Sequence, residues 1–477
     1  MRKKKQPQIL ENILVEDFAA EGKSLARVNG KVIFIEKAVP GDVVDIQLYK
    51  NKKDWAEAFP LRFKEYAPQR VNPFCEHFGN CGGCQWQNIP YSQQLLFKQK
   101  QVTDHLTRIG KIALPFINPI IGADRTEHYR NKLEYTFATK RYIPEEEFRL
   151  LKQSAATTEQ LFGREPAAGF HARGMFDKVV KINSCHLQEE PTNHLRNAVT
   201  KFAVENNYPF YDIRLHSGWL RNMMVRIVTT GQIMVNVVVA YYDETMITAL
   251  MKFIMQQFPQ ITTLLYTINP KQNDSIYDLE PVVHYGNGYI IEQLEKFRFK
   301  ISPKSFFQTN TLQAEKLYAV TREYAALTGT ETVYDLYCGT GSIGIFLSDK
   351  AGKIIGVETV ADAVEDAKQN AALNNIHHAS FFAGDVINVC NDDFFGLHGR
   401  PDVVITDPPR AGMHEKLVKK LLDIAAPTVV YVSCNPATQA RDLNLLNEKY
   451  AVTGIQPVDM FPHTHHIENV VQLKLKN

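Results

Sequence analysis

The chain has no long apolar run. Nothing in its 477 residues approaches the roughly 18 consecutive apolar residues that a membrane-spanning helix needs, so no membrane partner is expected. It also lacks an excess of either charge: 54 Lys and Arg stand against 52 Asp and Glu, a formal net charge of +2. Overall basicity therefore does not announce a nucleic-acid partner. Arg2, Lys3, Lys4 and Lys5 are basic, but no apolar core follows them, which argues against secretion and for a cytoplasmic protein. The seven cysteines are few and odd in number, and three of them cluster. In a reducing compartment that pattern favours metal binding over disulfides. Internal repeats and low-complexity tracts are absent.

The composition, 44% hydrophobic and 22% charged, is that of a globular protein, and the length predicts two to four domains at roughly 100–200 residues each. Residues 1–68 read as a small β-barrel. Strands at 28–36 and 43–48 flank a Val39-Pro40-Gly41-Asp42 turn, and Lys50, Lys52, Lys53, Arg62 and Lys64 alternate with Trp55, Phe59, Phe63 and Tyr66. Such barrels often bind nucleic acid, although aromatic core and solvated lysines fit the same pattern. Residues 98–141 carry nine Lys or Arg against four acids, which a solvated face also explains. A loop rich in Pro, Gly and Cys covers 68–90, and 91–110 reads as a helix ending at Gly110. Residues 69–305 form a central α+β region, with strands expected at 132–139, 223–229 and 233–241 and helices at 192–206 and 243–257. From 306 to 477 strands and helices alternate, which predicts a doubly wound, mostly parallel sheet.

Four groups in this framework carry chemistry. In Asp335-Leu336-Tyr337-Cys338-Gly339-Thr340-Gly341-Ser342-Ile343-Gly344 a strand feeds a glycine turn that opens a helix, where backbone can approach a ligand. Glu358 ends the next strand, where an acid can take both ribose hydroxyls, and Asp385 ends the third, within reach of an adenine amine. This much suits a dinucleotide or an S-adenosylmethionine (SAM) enzyme. Asp407-Pro408-Pro409-Arg410 puts a carboxylate on a stiff turn after the fourth strand. Cys75, Cys81 and Cys84, completed by Cys185, offer four thiols whose count suits zinc or an iron–sulfur cluster; His77 and His186 could serve a zinc site. Finally, Val429-Val430-Tyr431-Val432-Ser433 suits a buried strand that runs into Cys434 before Asn435-Pro436 stops it. A strand-end thiol with one downstream acid, Glu468, is what methylation of uracil C5 requires: a thiolate adds at C6, and a base later removes the C5 proton. His463, His465 and His466 are too irregularly spaced for a metal site.

These segments, with Ser305-Phe306-Phe307-Gln308-Thr309-Asn310, Tyr431 to Leu443 and Phe461 to Leu473, resemble the bacterial RNA uracil-5-methyltransferases that act on 23S rRNA or on the tRNA T-loop. The resemblance spans nearly the whole chain. It implies a multidomain α/β protein: an N-terminal TRAM-like, OB-type β-barrel, a central α+β domain with an iron–sulfur site, and a Rossmann-like class I SAM-dependent methyltransferase domain. It implies Cys434 as nucleophile and Glu468 as base. SAM contacts fall on Gln308, Tyr337, Ser342, Glu358, Asp385 and Asp407, the target base meets Phe306, and a [4Fe-4S] cluster sits on Cys75, Cys81, Cys84 and Cys185. It further implies that helix 91–110 packs on the catalytic domain; a monomer is expected, although the sequence itself does not give the oligomeric state. Barrel and cysteines favour the 23S rRNA branch, with tRNA T-loop methylation as the alternative. Ser342 stands where relatives often carry Asn, and 141–168 is an insertion without an assignable role. An NAD oxidoreductase would leave Asp407-Pro408-Pro409-Arg410 and Cys434 idle, and a noncatalytic RNA-binding protein has no use for an intact Cys434, Glu468 and Gln308.

Overall fold

The computed structural model describes residues 8–154 and 156–477; the basic residues 2–5 lie outside them. Six strands, Gln8–Leu14 (β1), Asp17–Phe18 (β2), Ser24–Val28 (β3), Lys31–Ile35 (β4), Val43–Asn51 (β5) and Trp55–Glu65 (β6), form a sheet in the order β1-β5-β6-β4-β3-β2. The Asn29-Gly30 pair that interrupts the 28–36 run is a two-residue hairpin turn, both residues at positive φ. Small apolar side chains, among them Val44, Ile46, Ala56 and Ala58, fill the interior. Tyr49, Phe59 and Tyr66 stay exposed on the outside.

The central sheet takes Lys132–Ala138 (β7), Ala167–His171 (β8), Val179–Lys181 (β9), Leu220–Ile227 (β10), Ile233–Val239 (β11), Thr263–Ile268 (β12) and Val282–Tyr285 (β13) in the order β13-β12-β11-β10-β7-β8-β9. Strand periodicity divides its residues between two faces. Leu133, Tyr135, Met223, Val225, Val235 and Val237 pack with Leu195, Val199, Leu250 and Ile254 of helices Thr192–Glu205 and Glu244–Gln257. Met224, Met234 and Leu265, on the opposite face, belong to the same core as the catalytic half. The insertion folds into short helices, Glu145–Gln153 and Thr158–Leu161, closed by Arg141 paired with Glu147 and Glu165.

A hairpin the strand–helix alternation did not reveal, Ile290–Leu294 (β14) with Phe297–Ile301 (β15), joins the two halves. Its turn, Glu295-Lys296, lacks the usual Gly or Asn. The catalytic sheet follows: Thr332–Leu336 (β16), Lys353–Glu358 (β17), Ala379–Ala383 (β18), Val403–Thr406 (β19), Thr428–Ser433 (β20), Tyr450–Val458 (β21) and Glu468–Leu475 (β22), ordered β18-β17-β16-β19-β20-β22-β21. β16 to β20 run parallel, and β22 is antiparallel to both β20 and β21.

Helix Tyr91–His105, extended by a π-helical turn to Gly110, lies on this sheet's helix layer despite its early position. Val102 and Leu106 are fully buried in one core with Ala440 and Leu443. Gly110 approaches Ala440 closely, and Lys111 then ends the helix at positive φ. No helix among the described residues is long and apolar enough to cross a membrane.

Candidate active site

The glycine turn is built by strain and by one buried carboxyl. Tyr337 leaves β16 at φ 62° and Gly341 opens helix Ser342–Leu347 at φ 77°, so the chain reverses tightly above the sheet. Asp335 is wholly buried, and its Oδ2 accepts the Gly344 N–H at 2.8 Å, sewing helix to strand. Burial raises its carboxyl to about 7. Glu358 accepts from the Gly339 N–H at 3.2 Å and from Val360 at 2.9 Å, which sets its carboxylate against the turn. Ser342 lies 3.0 Å, hydroxyl to hydroxyl, from buried Tyr318. Asp385 is exposed and caps the next turn through the Ile387 N–H at 2.8 Å. Tyr337, Ser342, Glu358, Asp385 and Asp407 therefore share the carboxyl ends of neighbouring strands, the ligand edge of an open α/β sheet.

Gln308 and Phe306 lie on a loop held from the central sheet, and Ser305 of that loop donates to Asp366 of the helix after β17 at 2.6 Å. Asn131 donates through Nδ2 to the Gln308 carbonyl at 2.9 Å and through its backbone N–H to Thr309 O at 2.7 Å. Phe307 turns into the core beside Phe299, Gln308 is buried, and Phe306 is 68% exposed.

The reactive corner follows from one register. Ser433 pairs with Asn469 across β20 and β22, so the next step places Cys434 opposite Glu468. Gln439 fixes the pair by donating to Tyr431 O and Asn469 O while accepting from Asn469 Nδ2. Burial pushes the Cys434 thiol up to about 12, with Glu468 and Asp407 adding to the rise and Arg410 opposing it. Burial first, then Asp407, raises Glu468 well above the ordinary carboxylate range, and the enclosing protein raises Asp407 to about 7. Three acidic groups thus crowd one corner. Arg410, whose guanidinium lies 3.2 Å from His466, is the cation that faces them. Its carbonyl is held by Asn435 Nδ2 at 3.0 Å. Sequence reasoning assigned no role to Arg410, Asp335, Tyr318 or Gln439. Arg410, Asp335 and Gln439 stood inside quoted motifs, whereas Tyr318 left no signal beyond helix periodicity.

The segment leading to Glu468 is clamped by the early helix. Lys98 donates to Asp459 at 2.6 Å and to Phe461 O at 3.1 Å; Tyr91 donates to Asp459 at 2.8 Å; Gln94 accepts from the His463 N–H at 2.8 Å. The cysteine loop joins in: Gln85 and Trp86 donate backbone N–H groups to His463 O.

The four cysteines converge between that loop and the central sheet, all as free thiols. Cys185 and Cys75 both raise Cys81 and Cys84 electrostatically, after burial, which takes those two thiols to about 11 and about 12. Each thiol also faces an N–H donor that favours its ionised form: His77 and Phe78 for Cys75, Gly83 for Cys81, Gln87 for Cys84 and Leu187 for Cys185. Donors ringing thiols fit thiolates that ligate a metal centre. Among the described residues no three of these sulfurs form a compact ligand group. His77 accepts from the Asn183 N–H at 2.9 Å, and His186 groups with Glu127 and His128 instead of with the cysteines.

Comparison with known proteins agrees with this geometry. The tRNA (uracil-5-)-methyltransferase family description matches residues 283–476, and that of the TRAM domain matches 10–60. An uncharacterized RNA methyltransferase of Bacteroides thetaiotaomicron is 51% identical, over 96% of this chain and 100% of the relative. One from Porphyromonas gingivalis is 47% identical, over 96% and 98%. The chain belongs to the RNA (uracil-5-)-methyltransferase family. It is a SAM-dependent enzyme acting on RNA. Among solved structures, the Pyrococcus abyssi tRNA (uracil-54, C5)-methyltransferase in complex with S-adenosyl-L-homocysteine superposes with a TM-score of 0.73 at 26% identity, covering 97% of this chain and 100% of that one. Family membership excludes the oxidoreductase reading of the glycine turn.

Proposed function

We propose that this enzyme methylates C5 of one uridine in 23S rRNA through a covalent Cys434 adduct, with Glu468 as the base. The observation that carries the reading is the β20–β22 register, which sets thiol and carboxyl side by side at the ligand edge. Cys434 releases its thiol proton to solvent and adds as thiolate to uracil C6, and the electron pair gained at C5 takes the methyl group. SAM supplies that methyl as a sulfonium electrophile. Glu468 then removes the C5 proton, the C6–S bond breaks, and Cys434 leaves as thiolate. Gln308, Tyr337, Ser342, Glu358, Asp385 and Asp407 hold the methyl donor, and Phe306 meets the target base. The four cysteines hold a [4Fe-4S] cluster, a reading supported by the ring of N–H donors around the thiols, which ties the central sheet to the segment that delivers Glu468. Residues 1–68, 69–305 and 306–477 act as RNA-binding barrel, cluster-bearing domain and catalytic domain.

The barrel and the cysteine set favour rRNA. A tRNA T-loop substrate is the second reading, because the archaeal tRNA enzyme matches this chain end to end. Mapping 5-methyluridine in 23S rRNA and tRNA from a deletion strain decides between them. Loss of the mark from one rRNA position supports the first reading, and loss from the T-loop replaces it with the second.

A further inference from the structure

A cavity of about 130 Å³ lies between the central sheet and the 303–309 loop, lined among others by Lys132, Arg226, Asn236, Lys304 and Phe306. Its floor is unusual for a protein interior. Arg226 is 1% exposed, yet its Nε and Nη1 have no partner, and Nη2 reaches only Ser305 O at 3.5 Å. Asn236 is fully buried with Nδ2 unpartnered, while its Oδ1 accepts from Thr267 at 3.0 Å. Lys132 stands opposite Arg226 in the β7–β10 register, so two cations share one face of the sheet. The acid nearest in charge, Glu292, spends its oxygens on Thr229, Gln293 and Thr311. Lys304 pairs with Glu280, Asp274 with Arg221, and exposed Glu134 lies at the mouth.

Unmatched buried donors are costly, and an unpaired buried guanidinium more so. Helix, sheet and core packing do not require Arg226 here, since Met224 and Met234 fill the same face. The floor offers donors only, so it suits a ligand whose oxygens only accept. A nucleobase would bring N–H groups that the buried donors of Arg226 and Asn236 cannot accept, whereas a phosphate satisfies those donors and neutralises the charge, with exposed Glu134 left in water at the mouth. Ser305, which Arg226 approaches, immediately precedes Phe306.

We propose that this cavity holds a phosphodiester of the substrate RNA adjoining the target uridine, with Arg226 and Asn236 as its floor and Lys132 at its mouth. The proposal rests on the reading of Phe306 as the residue that meets the target base. It fixes how the strand enters: one phosphate is gripped beside the aromatic ring while the uridine turns toward Cys434.

The test compares wild type with Arg226→Met in three measurements. Inorganic phosphate is expected to raise the melting temperature of wild type and not of the variant. Without phosphate the variant should melt at or above wild type, since replacing an unpaired buried charge by an apolar chain is neutral or stabilising. RNA affinity at low salt should fall on the order of tenfold, and the slope of log K against log salt should shrink by about one, with S-adenosylhomocysteine binding unchanged. A methylphosphonate at the phosphate next to the target uridine should weaken wild type and leave the variant unaffected. Unchanged RNA affinity and slope, or a large drop in melting temperature with no phosphate protection of wild type, overturns the proposal. Should Arg226→Met fail to fold, Lys132→Gln carries the measurements of RNA affinity and salt slope and Asn236→Leu those of phosphate protection and RNA affinity, with the same results supporting or overturning the phosphate site. Phosphate protection in an enzyme that methylates no RNA uridine removes the functional reading and keeps the cavity; methylation with wild-type RNA binding by the variant does the reverse.

Discussion

Cys434, Glu468 and Asp407 cannot all be ionised in one enclosed corner, and that conflict orders the chemistry. A thiol held at about 12 and a carboxyl raised well above its usual range describe a resting site that keeps its protons. Because Glu468 is raised, it is protonated at acid pH and becomes a base only as pH climbs. Release of methylated RNA from the covalent adduct in a single turnover at saturating SAM is therefore expected to keep rising with pH above the ordinary carboxylate range, not to level off by pH 5. Asp407→Asn, which removes the charge that helps raise Glu468, should move that rise to lower pH; an unmoved profile would uncouple the two. Glu468→Gln keeps shape and removes the base. It is expected to attack, transfer the methyl and stall, leaving a denaturation-resistant protein–RNA band labelled from methyl-tritiated SAM. Full turnover without adduct would take Glu468 out of the mechanism. Cys434→Ala should bind SAM normally and transfer nothing. The residues to test were legible in the sequence as types and positions. The direction in which each is shifted was not, because it depends on neighbours brought together from β19, β20 and β22.

Elements supply what single residues cannot. The turn above β16 depends on Asp335, whose folded-state pKa of about 7 exceeds its ordinary 3.8. Its neutral form fits the fold, so its contribution is fully present below about pH 4 and is lost as pH rises through 7. Asp335→Asn mimics the neutral form and should flatten stability between pH 5 and pH 8, a difference on the order of a few kcal/mol at the upper end, read by denaturant unfolding. Helix 91–105 acts on a different link, from packing to site. Lys98 and Asp459 are both 0% exposed and paired, so Lys98→Met strands a buried carboxylate and should cost about 3–5 kcal/mol. Chemical unfolding reads that cost, and Lys98→Met with Asp459→Leu should recover part of it. The helix itself was legible from Leu95, Val102 and Leu106 and from Gly110. That it docks on the catalytic domain was implied by the resemblance; the Lys98–Asp459 pair that anchors it was not legible, since the two lie 361 positions apart.

At the scale of the whole molecule, barrel, cysteine loop and catalytic sheet meet in one place. Phe18 of the barrel packs on Trp86 and Phe97, and the cysteine loop in turn holds His463. Anaerobically purified protein is expected to be brown with about four irons per chain. Cys185→Ser should lower iron content and melting temperature together, whereas stoichiometric zinc without sulfide would reject the cluster. Lys52 and Lys53 are exposed on the barrel; changing both to Gln should flatten the salt dependence of RNA binding by about 0.7–0.9 per lost phosphate contact while SAM binding holds.

What the sequence determined by itself is the local order: strand–helix alternation from 306 onward, the glycine turn, the strand that ends in Cys434, and the family these motifs resemble. Those features arise from near neighbours in the chain, through periodicity, turn residues and backbone freedom. Tertiary structure alone decided that Cys434 faces Glu468, that Lys98 anchors the segment before it, and that Arg226 and Lys132 share an unpaired face of the central sheet. Each of those depends on strand register or on contacts between segments remote in sequence, and on the loss of water that turns a side chain's charge from harmless to consequential.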